Sequence, residues 1–174
     1  MAITAVGSNH IIKDDRDIPE NVEIIYELAS GITIRFRVSE TVAQPGTEYG
    51  YITLLGTKGS LHIADGGYKF YPSRPGQFQS WNLNAQPIEY EVPKLDWNEW
   101  GLNHVRDFVD CIRTGNTPLA SIEGSFRSTS FALLANIALE MKQRLEWDPV
   151  KERFINNNAA NKLLHYKYRK PWKL

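Results

Sequence analysis

Cysteine is nearly missing from this sequence: Cys111 stands alone among 174 residues, so no disulfide can form within the chain. A single cysteine in a helical segment reads first as a small buried hydrophobe, and a reactive thiol is the lesser reading. Net charge is missing too. Twenty basic and twenty acidic residues cancel, so no overall field points to nucleic acid or to an anionic membrane. No apolar run approaches the roughly 20 residues that span a bilayer, and the start lacks a basic-then-apolar leader. The expectation is a soluble, cytoplasmic chain with no membrane or nucleic-acid partner, unless an export signal lay further upstream.

The missing motifs narrow the chemistry. No two of the twelve glycines stand two positions apart, so the G-x-G-x-x-G fingerprint of dinucleotide sites is absent, as is the G-x-x-x-x-G-K-[ST] phosphate loop. Gly56-Thr57-Lys58-Gly59 is read as a turn between strands, without the helix terminus that would hold an anion. His10, His62, His104 and His165 are far apart and have no partners at metal-site spacing. No G-x-S-x-G elbow marks a nucleophile. Bound metal and bound cofactor are therefore not expected for this chain.

What remains is alternation followed by helical periodicity. Ile3 to Val6 read as a short strand, and residues 13–19 as a charged loop. Val22, Ile24, Tyr26 and Leu28 alternate with Glu23, Ile25 and Glu27; Ile32, Ile34, Phe36 and Val38 alternate with Thr33, Arg35 and Arg37. With Ala29-Ser30-Gly31 as the hairpin loop and Gly31 left-handed, Tyr26 faces Ile34, Ile24 faces Phe36 and Glu23 faces Arg37. Ile52 and Leu54 are expected opposite Ile63 and Leu61. Tyr68 to Tyr71 and Ile88 to Val92 give two more strands, separated by an irregular excursion over residues 72–87.

The later part turns helical. Leu102, Val105, Phe108, Val109 and Ile112 form one stripe over residues 101–114, ended by Gly115 and Pro118. Ser121 caps a second helix over about 122–143, with Phe126, Leu133, Leu134, Ile137, Ala138 and Met141 as its apolar band. Asp148-Pro149 reads as another helix start, and a short helix is expected after Asn157 or Asn158. The tail from Tyr166 to Trp172 alternates aromatic and basic residues, and reads as a strap on its own domain rather than a nucleic-acid arm. Strands followed by helices predict a single α+β domain over 1–174, with an antiparallel-rich open-faced sheet mainly over 2–93, helices over 98–165 packed on one face, and a tail over 166–174.

At the helical half the residues stop being generic. The string His104-Val105-Arg106-Asp107-Phe108-Val109-Asp110-Cys111-Ile112-Arg113, then Gly115 to Pro118 and Glu123 to Ser128, resembles the C-terminal domain of Gfo/Idh/MocA-type oxidoreductases. Leu145 to Pro149, Glu152 to Phe154, Ala160-Asn161 and Arg169 to Trp172 carry the same resemblance, as do Gly56 to Ser60 and Gly67-Tyr68. The resemblance implies a fold like dihydrodipicolinate reductase and a parent enzyme that moves hydride between NAD or NADP and a sugar or polyol-like substrate. In that parent a Rossmann domain precedes this one. The family's Glu-Lys-Pro lysine and its histidine have no counterpart here, so no catalytic, cofactor or metal residue is assigned.

Because Met1-Ala2 leads straight into the first strand, the sequence is expected to be a piece of such an enzyme, inert by itself. A free-standing binding or scaffold module and part of an NAD-dependent glycosidase are the alternatives. The resemblance also implies a homo-oligomer through the open sheet face, whose Glu23, Glu27, Arg35 and Arg37 mix with Thr33 and Ile25. Tyr49, Asn103 and His104 are the candidate substrate-binding residues. His104 has the bland alternative of a surface histidine bonded to Asp107.

Overall fold

A computed structural model describes residues 1–41, 52–64, 67–73, 86–91, 97–166 and 168–172, with Trp97 described only in its backbone. The chain divides into two compact units, residues 1–43 with 120–174, and residues 44–119. The class is α+β, as the patterning predicts. The described strands form two antiparallel sheets where a single sheet was expected.

In the first unit the strands β1 (Ala2–Ser8), β2 (Asn21–Glu27) and β3 (Thr33–Ser39) are followed, after the helix α2 (Ile122–Met141), by β8 (Leu145–Asp148) and β9 (Arg153–Phe154), in the order β3-β2-β1-β8-β9. The β2–β3 register is the one the turn chemistry predicts: Tyr26 opposite Ile34, Ile24 opposite Phe36, Glu23 opposite Arg37. Gly31 sets it, with φ of +85° and its N–H bonded to the Leu28 carbonyl at 3.0 Å. On one face of this sheet Ile3, Ala5, Val22, Ile24, Tyr26 and Leu145 are buried. The other face carries Glu23, which accepts from Arg35 Nε at 3.1 Å and lies 2.8 Å from Arg37 Nε, and Glu27, paired with Arg144.

Helix α2 (Ile122–Met141) covers the buried face. Its N-cap is the expected Ser121, whose Oγ accepts from the Gly124 N–H at 3.2 Å. It ends at Met141, two residues short of the expected boundary, with Lys142 as a left-handed C-cap. Leu134, Ala135, Ile137 and Ala138 enter the core, while Phe126 and Leu133 of the same apolar band stay 55% and 53% exposed. A helix apolar on several sides can bury only one of them against a single sheet.

The helix start expected at Asp148-Pro149 is a correction. Leu145 and Trp147 are buried, Glu146 is exposed, and this period-two segment pairs with β1 on one side and β9 on the other. Asp148 does cap backbone, accepting from the N–H groups of Val150 and Lys151 at 2.9 and 3.1 Å. That bonding closes the β8–β9 turn. The short helix α3 (Asn158–Lys162) lies where expected, capped by Asn157.

The second unit holds β4 (Ile52–Gly56), β5 (Gly59–Ala64), β6 (Gly67–Pro72), β7 (Ile88–Glu91) and α1 (Trp97–Thr114). Ile52 faces Ile63 and Leu54 faces Leu61, as predicted. The registers extend these pairs into rows: Ile52, Ile63, Tyr68 and Tyr90, then Leu54, Leu61, Phe70 and Ile88. One face of this sheet is therefore apolar across all four strands. Helix α1 ends as expected, with Gly115 at φ +75° and its N–H on the Cys111 carbonyl at 2.8 Å. Its apolar stripe, expected to lie on a sheet, is solvent-exposed instead, with Phe108 at 57% and Ile112 at 68%.

Candidate functional site

Among the described residues two places offer surface for a ligand: the first half of α1 and a groove along α2. On α1, Trp100, Asn103 and His104 share adjacent turns because residues three and four apart on a helix are neighbours. His104 stacks on Trp100, with ring centroids 6.1 Å apart and planes 9° from parallel. Asn103 Oδ1 accepts from Arg106 Nη1 at 2.6 Å. The His104–Asp107 bond held as the bland alternative is not made. Asp107 instead accepts the Leu119 N–H at 2.9 Å, tying the segment after the helix back to it. His104 is exposed and can reach a ligand from this surface, with Trp100 as a flat apolar neighbour. Tyr49, the third candidate, lies outside the described residues.

The groove belongs to the first unit and has a volume of about 920 Å³. Its floor and walls come from Phe126, Leu133 and Ile137 of α2, Trp147 of β8, and Leu163 and Leu164 after α3. Glu123, Arg127, Glu140 and Glu152 also line it. Arg127 is taken by Glu123 at 2.8 Å, whereas Glu140 and Glu152 have no ion-pair partner among the described residues. Sequence reasoning missed this groove. Its one legible signal was that the apolar band of α2 is wider than one sheet can cover.

Two polar side chains shape the same unit from within. Glu20 is fully buried, and its carboxylate accepts the N–H groups of His10, Ile11 and Ile12 at 2.8, 2.9 and 2.7 Å. Those bonds, led by that from His10, hold its carboxyl below the ordinary carboxylate range. Tyr26 donates its hydroxyl to the Phe131 carbonyl at 2.8 Å and meets that ring edge-on at 4.9 Å. Burial pushes its phenol upward. Cys111 is raised by burial first, then by Asp107 and Asp110, so its thiol stays protonated. His62 bonds Thr53 and Ser60 through its two ring nitrogens at 3.2 and 2.9 Å. Among the described residues no group of three or more His, Cys, Asp or Glu is placed to hold a metal.

Residues 86–174, just over half of the chain, match the sequence profile described as oxidoreductase family, C-terminal alpha/beta domain, of the Gfo/Idh/MocA group. The chain belongs to this family. No curated protein and no solved structure matches it. The match takes in Asn103 and His104 but not Tyr49. Oxidoreductases of this group are in general NAD(P)-dependent, and the described part of this C-terminal domain does not fit a dinucleotide. Such sites set a glycine-rich turn between a parallel strand and a helix N-terminus. Here every described strand pair is antiparallel, and Gly56 and Gly59 close a hairpin. Among the described residues no helix is long and apolar enough to cross a membrane.

Proposed function

We propose that this chain is the substrate-binding and assembly domain of an NAD(P)-dependent oxidoreductase acting on a sugar or polyol-like molecule, and that it transfers no hydride alone. The family match over residues 86–174 carries this reading. Hydride transfer needs a nicotinamide held against its substrate, and the residues described here supply no cradle for one. Asn103 and His104 offer an amide and an imidazole beside the Trp100 ring, a set suited to hydroxyl groups and to the apolar face of a sugar. Tyr49 is assigned to the same task. Homo-oligomerisation uses the open face of β1–β3, where Val6 and Ile25 lie exposed among the internally paired Glu23, Arg35 and Arg37.

Calorimetric titration with NAD(H) and NADP(H) tests the first part: no binding is expected up to about 1 mM, and saturable binding near 1 μM would overturn the reading. In an enzyme that joins this domain to a cofactor domain, Asn103→Ala and His104→Ala should each raise KM for the polyol about tenfold. Unchanged KM in both removes the site. Light scattering tests the assembly face: Ile25→Arg should yield a smaller species than the wild-type chain.

A further inference from the structure

We propose that the groove along α2 is a binding site for an organic cation with an apolar body, of the alkylammonium class. Its volume of about 920 Å³ is that of a small-molecule pocket, for which about 300–1,000 Å³ is usual. Every lining residue belongs to the first unit, so the site is complete within it. Leu134, Ile137 and Trp147 are buried beneath it, whereas Phe126 and Leu133 keep about half of their surface open to solvent. An apolar body laid against those two side chains leaves water on both sides of the contact, and that favours binding.

The charged lining selects the head. Glu123 is answered by Arg127 at 2.8 Å, and the Met1 ammonium donates to the Trp147 carbonyl at 3.1 Å. Glu140 and Glu152 line the groove with no ion-pair partner among the described residues. An anion would be repelled by both carboxylates, and a cation is drawn to both. Glu152 also stands at φ +48°, a left-handed position in the β8–β9 turn that glycine or asparagine fills at less cost. A carboxylate held there against the local backbone preference is accounted for by a ligand at the groove and not by the turn. Of the described tail, Tyr166 lines the groove and residues 168–172 do not. The site shares no residue with the candidates on α1 and stands independently of the substrate reading.

The test is calorimetric titration of the whole chain with octylammonium and with octyl sulfate, which share an apolar body and differ in the sign of the head. Octylammonium is expected to bind saturably with Kd of about 100 μM, and octyl sulfate at least about tenfold more weakly. Glu140→Gln combined with Glu152→Gln should weaken octylammonium about tenfold, with far-ultraviolet dichroism unchanged because both side chains are exposed. Leu133→Asn should weaken it as well, by removing apolar wall. No saturable octylammonium binding up to about 1 mM overturns the proposal. So does equal binding of the two probes, or an octylammonium affinity indifferent to the paired glutamate changes. The double change Arg169→Ala with Lys170→Ala should leave the affinity as it is. A rise in affinity would make the chain's own tail the occupant of the groove and would overturn the proposal too.

Discussion

Replacing Asn161 by Ala removes a side chain that stands in for a strand. Its Oδ1 accepts the Phe154 N–H at 2.7 Å, and its Nδ2 donates to the Phe154 carbonyl at 2.9 Å. Strand β9 is two residues long, and Phe154 is 1% exposed. Phe154 itself is closed to water, while Asn161 is half-buried. Each buried group left unpaired costs about 1–3 kcal/mol, so the substitution should destabilise the chain by about 2–4 kcal/mol. For a chain of this length that lowers the melting temperature by roughly 5–15 °C, read by far-ultraviolet dichroism and checked by urea titration. Asn161→Asp keeps the acceptor but sets an oxygen against the Phe154 carbonyl. It should lose nearly as much at neutral pH and recover part of it in acid, when the carboxyl regains a donor. A melting temperature for Asn161→Ala within about 1 °C of wild type would refute the reasoning.

Glu20 links stability to acid. Its folded-state carboxyl lies below the ordinary value of 4.5, so its contribution is present above that pH and is lost as pH falls toward the lower folded value. The melting-temperature gap between wild type and Glu20→Gln should therefore shrink from pH 7 to about 3, and a constant gap would show that the three N–H bonds do not favour the charged form. Tyr26→Phe keeps the ring contact with Phe131 and removes one hydrogen bond; a loss of about 1 kcal/mol is expected in urea titration, and no loss would mean the bond adds nothing. Cys111, its thiol raised by burial and two carboxylates, should react with a disulfide reagent at pH 7.5 about tenfold more slowly than free cysteine. Fast labelling would restore the reactive-thiol reading.

The parts legible in advance share a local cause. Strand alternation and the Gly31 turn together set the β2–β3 register, because shifting it by one residue would turn Ile24 and Tyr26 to the wrong face. Ser121, Gly115 and Asn157 mark helix ends through bonds that span at most four residues. Asp148-Pro149 shows the limit of that logic. A carboxylate accepting the next backbone N–H groups serves a helix start and a tight turn alike. The segment is a strand because Trp147 donates its N–H to the Met1 carbonyl at 2.7 Å, across nearly the whole chain.

The candidate site divides the same way. Sequence alone placed Asn103 and His104 near a helix start, but not the Trp100 ring beside His104 or the bond from Leu119 that takes Asp107 away from it. It showed that α2 is apolar beyond one face, yet could not say which side would be covered. What the sequence by itself determined is the kind and register of the elements, since those follow from neighbouring side chains. Only the tertiary structure decided which sheet each strand joined, which stripe was buried, and that α2 and the segment after α3 enclose a groove, because those outcomes depend on contacts between residues far apart in the chain.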